Sequence, residues 1–258
     1  MKIRKYLLLI ILLNVSFAVY AQSVDYDKIP AWVDNFTENG NPNANWLYED
    51  LAKTRTGKEY RYDLYQKNGK LNIKFIDKKD VSKDFLAMTH TSPKLPMLYG
   101  KVEIRAKLPI AKGIWPGIWL RTTRGTKADV KGEVDLIEWI SCFNKHQFQA
   151  NFHLWGNFKG KANNHAQYPK SYSNKKFDVT KYHVYSAEWD KEKLIVKVDG
   201  ITAGIWYAKD YVAWPFTSTY ELCLDLGYGG WGASCGYDKS KLPQIMKVDW
   251  VKYYKLKE

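Results

Sequence analysis

Along this chain, apolar and polar residues alternate with a period of two over short stretches broken by turn residues. That is the pattern of half-buried β-strands. In "YGKVEIRAKLP", Val102, Ile104, Ala106 and Leu108 fall on one face. In "QFQANFHLWG", Phe148, Ala150, Phe152 and Leu154 do likewise, which turns Gln149, Asn151 and His153 to the other face. "YRYDLYQKNGKLNIKF" sets Tyr60, Tyr62 and Leu64 against Leu71, Ile73 and Phe75 about Asn68-Gly69, a two-residue hairpin signal. "KLIVKVDGI" runs into an Asp199-Gly200 turn, and "MKVDWVKYY" supplies a last strand. Helical periodicity is nearly absent, with one short turn expected in "YEDLAKT" (48–54). Many short strands with one apolar face each predict an all-β fold, two antiparallel sheets packed as a sandwich, with one concave polar face left open.

One strand breaks the alternation. "GEVDLIEWI" carries three carboxylates, Glu133, Asp135 and Glu138. Strict alternation puts the first two on one face and the third on the other. A β-bulge at Leu136-Ile137 restores the phase and returns Glu138 to the face of Glu133 and Asp135. The two glutamate Cα atoms are then four effective steps apart, ~13 Å at ~3.3 Å per residue. If each side chain leans inward by roughly 4 Å, the carboxylates end ~5 Å apart, the separation of a retaining glycosidase and short of the ~6.5–9.5 Å an inverting one needs. Asp135 between them can share a proton and hold the two glutamates in different ionisation states. Spacing alone leaves open which glutamate attacks and which donates. A competing reading is an edge strand made acidic against aggregation, but that purpose does not call for three acids interleaved with core residues.

Neighbouring segments fit a cleft around these acids. On an adjacent strand, Asn151 and His153 would share the acids' face. "GIWPGIWLRTT" offers Trp115 and Trp119 as sugar-stacking rings, with Trp115 the better placed, and "LDLGYGGWG" offers Trp231 on a glycine-rich rim. That loop lacks the spacing and following helix of a phosphate cradle.

The chain's start changes where such a site would work. Lys2, Arg4 and Lys5, an apolar run from Leu7 to Leu13, and Val19-Tyr20-Ala21 before Gln22 read as a secretory signal peptide over residues 1–21. The apolar run is too short to span a bilayer. The mature chain, 22–258, is then a single exported domain, periplasmic or secreted, with no stable membrane insertion and a monomer expected. Eleven Trp, nineteen Tyr and ten Phe exceed what a core needs, consistent with aromatic sugar contacts. The net charge of +13 comes from scattered lysines and first suggests a solvated surface, with a polyanionic substrate as the sharper alternative. No nucleic-acid-binding motif is present, so no nucleic-acid partner is expected. Of three cysteines, Cys223 and Cys235 could bridge the loop between them, or the thiols could stay buried and free; Cys142 completes the set.

Taken together, "YGKVEIRAKLP", "GIWPGIWL", "GEVDLIEW", "YHVYSAEWDKEKLIVKVDG", "LDLGYGGWG" and "MKVDWVKYYK" resemble, in order, glycoside hydrolase family 16, in its bulged branch with laminarinase-like and galactan-cleaving members. "AWVDNF" (31–36) resembles that family's first strand. The resemblance implies a concanavalin-A-like jelly roll that cleaves internal β-glycosidic bonds by double displacement. It implies Glu133 as nucleophile, Asp135 as assisting acid and Glu138 as acid/base, with Trp115 and His153 near the scissile bond. No cofactor and no metal in the cleft are expected. The family's structural calcium site uses a Glu where this chain has Asn35, together with an Asp matching Asp249, which argues against the ion here. "NANWLYEDLAKTRTGKEYRYDLYQ" and "FLAMTHTSPKLPMLYG", which border the negative subsites, depart from glucan-cleaving members. A β-galactan or an anionic or host-type β-galactosyl glycan therefore stands beside a β-1,3/1,4-glucan. From other function classes, a non-catalytic glycan-binding module on the same sandwich, or a basic adhesin, remains to be weighed.

Overall fold

The computed structural model describes residues 24–50, 62–76 and 86–257. Its strands are β1 (Trp32–Asp34), β2 (Trp46–Asp50), β3 (Tyr62–Gln66), β4 (Leu71–Phe75), β5 (Leu86–Pro93), β6 (Gly100–Lys107), β7 (Ile114–Thr122) and β8 (Val130–Glu138). They continue with β9 (Gln147–Phe158), β10 (Lys161–Gln167), β11 (Lys170–Ser173), β12 (His183–Trp189), β13 (Lys193–Val198), β14 (Ile201–Tyr207), β15 (Tyr220–Gly229) and β16 (Gln244–Tyr254). Two antiparallel sheets result. The back sheet runs β14-β13-β12-β6-β16-β4-β3, with β1 on β16. The cleft sheet runs β10-β9-β8-β7-β15-β5-β2, with β11 on β9. This is the predicted all-β jelly-roll sandwich.

The period-two faces are as expected. Val102, Ile104 and Ala106 of β6 pack from the back sheet against Ile118 and Leu120 of β7, Val134 of β8 and Phe148, Phe152 and Leu154 of β9 in one buried cluster. Asn68 and Gly69 both take positive φ between β3 and β4, as a type I′ hairpin requires, and Asp199-Gly200 does the same between β13 and β14. The helical turn expected at 48–54 is not formed in its first half: Tyr48–Asp50 belongs to β2, paired with Thr89–Thr91 of β5. Tertiary pairing overrides a weak local preference there. The remainder of that segment, Tyr60 and the expected signal peptide lie outside the described residues.

Each sheet contains a bulge beside an acid. In the cleft sheet the register slips by one between Asp135 and Glu138. In the back sheet β16 slips between Val248 and Trp250, leaving Asp249 as the extra residue. The Asp249 carboxylate meets Lys70 Nζ at 2.5 Å on one oxygen and the Arg105 guanidinium on the other. Both cations also lie against the Tyr182 ring.

The disulfide joins Cys142 to Cys235, and Cys223 is free and buried. The candidate Cys223–Cys235 bridge is thus not made. Cys223 sits mid-strand in β15 opposite Trp119, whereas Cys235 lies past the glycine-rich turn, where the chain meets the loop following β8. Burial pushes the Cys223 thiol well above its ordinary value, so it stays uncharged and unreactive.

Candidate active site

β8 lies between β7 and β9, so it is an interior strand of the sheet and not an edge. This removes the anti-aggregation reading of its acids. On β9, Glu133, Asp135 and Glu138 stand opposite His153, Asn151 and Gln149; on β7, Glu133, Asp135 and Glu138 stand opposite Arg121, Trp119 and Gly117. Both neighbours are stepped in twos, so the bulge has brought all three acids onto one face. Leu136 and Ile137, the residues absorbing the slip, are both fully buried on the core side. Gly132 is needed just before Glu133, because a Cβ there would lie 2.1 Å from the Tyr220 hydroxyl.

The acids line a cleft of about 590 Å³ whose walls include Trp115, Trp119, His153, Trp155 and Trp231. Trp115 and Trp119 are both on the cleft face, so Pro116 does not reset the strand. The Trp115 indole donates to Glu138 Oε1 at 3.1 Å, and the Trp119 indole donates to Asp225 Oδ2 at 2.8 Å. Trp231 stands edge-on to Trp115, 5.5 Å between centroids, and packs against Phe143. The Cys142–Cys235 bridge ties together the two loops that carry Phe143 and Trp231, so this glycine-rich rim is stapled.

Charge is arranged unevenly among the carboxyls. Asp135 is only 3 % exposed. Burial, then the charges of Glu133 and Asp225, push it well above the carboxylate range, while its hydrogen bond with Glu138 pulls the other way. Burial and then Asp135, Glu133 and Asp225 push Glu138 up too, against the Trp115 hydrogen bond. This environment therefore favours the protonated form of Glu138. The Glu133 side chain keeps 28 % of its surface exposed.

Histidines extend the network. His153 Nε2 lies 3.0 Å from Asp135 Oδ2 and 3.9 Å from Glu133 Oε1, and its Nδ1 lies 2.9 Å from His165 Nε2. Burial lowers the His153 pKa against the charge of Glu133, which favours the neutral ring. A neutral His153 that donates from Nε2 to Asp135 can accept the His165 proton at Nδ1. Donor atoms of Glu133, Asp135 and His153 lie within 4.8 Å of one another, close enough to share a cation.

Asn151 sits in the cleft wall as expected, but its side chain is already engaged. Its oxygen accepts from the Phe152 and Tyr168 amides, and its nitrogen donates to Gln167. It holds the strand connection more than it reaches into the cleft. Trp155, His165 and Asp225 were not singled out from sequence. Trp155 is 43 % exposed and stacks on His165 at 3.6 Å between centroids, making a flat platform beside His153. The alternation that places His153 in the cleft places Trp155 there too. For His165, on the polar strand β10, no comparable signal exists.

Comparison with known proteins agrees with this geometry. The family described as "Glycosyl hydrolases family 16" matches residues 52–252. The glucan endo-1,3-β-glucosidase A1 of Niallia circulans is 30 % identical over 87 % of this chain, which spans 37 % of that protein. The keratan-sulfate endo-1,4-β-galactosidase of Sphingobacterium multivorum is 27 % identical over 93 % of this chain, which spans 57 % of that protein. Among solved structures, the catalytic domain of an endo-1,3-β-glucanase (laminarinase) from Thermotoga petrophila superposes with a TM-score of 0.69 at 24 % identity, covering 91 % of this chain and all of that one, a likeness of fold. The chain spans little more than a third to a half of these two relatives, and it belongs to glycosyl hydrolases family 16.

Proposed function

We propose that this chain is an exported, retaining endo-β-glycanase that cuts a β-1,3/1,4-glucan or β-galactan within runs of uncharged sugars. The observation that carries this reading is the bulge that sets Glu133, Asp135 and Glu138 on one face beside the cleft tryptophans. Glu133 attacks the anomeric carbon as Glu138 passes its proton to the departing glycosidic oxygen, leaving a glycosyl ester on Glu133. Glu138, now ionised, takes a proton from water, whose oxygen attacks the anomeric carbon and frees Glu133. Asp135, hydrogen-bonded to Glu138 and His153, takes up charge between the two steps. A binding module would have no use for three acids gathered on one face with a glutamate whose proton is held by burial.

Uncharged sugars are favoured because, among the described residues, no Lys or Arg lines the cleft. The described Lys and Arg residues therefore lie outside the cleft lining. The Cys142–Cys235 disulfide supports export, since such bonds persist in oxidising compartments. No helix among the described residues is long and apolar enough to cross a membrane. The double-displacement route needs no metal. At the calcium position that the resemblance implies, Asp249 already has two cationic partners and residue 35 is Asn, so these residues do not fit the ion.

The test is product sizing on laminarin, mixed-linkage glucan, agarose, carrageenan, keratan sulfate and mucin glycans. Oligosaccharides released from the interior of an uncharged chain, with little dependence on salt, support the proposal. Release only from anionic glycans, abolished by salt, would move the substrate to a polyanion, and binding without release would make the chain a lectin.

A further inference from the structure

A fourth carboxyl lies under the three on β8. Asp225 is in the middle of β15, 3 % exposed, with its side chain against the cleft floor. Its Oδ2 accepts the Trp119 indole proton at 2.8 Å. Its Oδ1 is buried beneath Gly117, where no well-formed hydrogen bond reaches it among the described residues, and a Cβ on residue 117 would come within 2.6 Å of it. Gly117 is also the cross-strand partner of Glu138, and Trp119 that of Asp135. The carboxyl thus touches the two residues of β7 that back the acids.

We infer that Asp225 is a positioning residue for the hydrolysis: it fixes the Trp119 ring on the cleft floor and sets beneath Asp135 and Glu138 a carboxyl that becomes their like-charged neighbour once it ionises. This rests on the reading of Glu138 as acid/base. The titratable and charged groups around Asp225 among the described side chains are Glu133, Asp135 and Glu138 on β8, Arg121 on β7, and Glu221 and Cys223 on its own strand. Arg121 is paired to Glu221 at 2.6 Å, so the nearby cation is already engaged. Burial is the main reason that Asp225 is pushed up to about 8; the Trp119 hydrogen bond opposes this and the Glu133 charge adds to it. At neutral pH the carboxyl is then mostly protonated. It ionises on the alkaline side, in the range where Glu138 must still carry its proton.

Two variants separate anchoring from charge. In D225N the amide oxygen still accepts from Trp119, but no charge can form. We expect KM to stay within about twofold, and the alkaline limb of kcat to move to lower pH by roughly half a unit or more, because Glu138 has lost a repelling neighbour. D225A, checked for a native circular dichroism spectrum, should show the same limb shift and in addition a several-fold higher KM, because Trp119 is untethered. A D225N pH profile that superposes on the wild type, or an unchanged KM in D225A, would overturn the assignment.

Thermal unfolding needs no substrate and gives an independent arm. Wild-type Tm should fall more steeply than that of D225N as pH rises toward 8, because the folded state resists ionising Asp225 while the unfolded chain does not. Equal slopes would overturn the proposal even if no polysaccharide were cut. A wild type inactive on every polysaccharide, with the slopes differing as expected, would overturn the proposed function alone.

Discussion

Two bulges of this sandwich, one in each sheet, handle an acid in opposite ways. In β16 of the back sheet, the extra residue is Asp249, whose carboxylate is gripped by Lys70 and Arg105 and held below the ordinary carboxylate range despite partial burial. In β8 of the cleft sheet, the slip at Leu136-Ile137 delivers Glu138 to a face that already holds Glu133 and Asp135, with Asp225 beneath. Around that cleft Asp135, Glu138 and Asp225 are all pushed upward, chiefly by burial. The same backbone device therefore stabilises one sheet and loads the other. Buried acids crowded together are unfavourable for folding, and proton transfer uses them.

The sharpest way to break this comparison is to neutralise the cleft acids. Glu133→Gln or Glu138→Gln should reduce turnover by about 10³-fold or more, since each removes a group used in both steps. Near-normal turnover by either purified variant would end the assignment. Glu138→Gln should also melt a few degrees higher at alkaline pH. A folded-state acid pKa above the unfolded one means that wild-type stability falls as pH climbs from the unfolded value toward the folded one, and the amide removes that loss. A lower melting temperature there would show that Glu138 is not strained in the fold.

Next in size is the staple at the cleft rim. Reducing Cys142–Cys235, or replacing both cysteines with Ser, releases a closure spanning 93 residues. The chain-entropy account puts this at roughly 4–5 kcal/mol, readable by denaturant unfolding. A loss well under 1 kcal/mol would mean that the two loops are held by packing alone.

Asp249→Asn on the back sheet should act in the opposite sense to Glu138→Gln. It should destabilise by about 1 kcal/mol, since Lys70 and Arg105 are partly exposed and screened. The Asp249 pKa is lowered in the fold, so its stabilisation is present above the unfolded value and disappears as pH falls through the folded one. The variant and wild type should converge in strong acid. A difference that persisted there would mean that the ion pairs are not its source. If the cations stand in for calcium, a chelator should leave wild-type Tm unmoved.

The smallest effect is expected at Trp155. Removing its exposed ring in Trp155→Ala should raise KM by about 3–10-fold with kcat little changed, matching ~0.5–1.5 kcal/mol of stacking. An unchanged KM would confine sugar contacts to the Trp115 side of the cleft.

How much of this was legible in the sequence differs by strand, for physical reasons. β6 and β9 each have one buried and one open face, so alternation named their core residues and put His153 in the cleft. The phase error at Glu138 was readable because its neighbours alternate so regularly. β15 alternates as well, with Leu222, Leu224 and Leu226 on one face and Glu221, Cys223 and Asp225 on the other, but only the sheet order, with β15 between β7 and β5, puts that second face under the cleft. Asn151 was assigned by face alone, which cannot tell whether an amide reaches for sugar or for the Tyr168 amide.

What the sequence determined by itself is what depends on near neighbours along the chain: strand faces, the Asn68-Gly69 and Asp199-Gly200 turns, and the bulge that gathers three acids. Only the tertiary structure decided which distant strands lie side by side. It set Trp155 against His165, Cys142 against Cys235, and Asp225 beneath Trp119, because cross-strand partners follow from sheet order, and a period of two carries no information about that order.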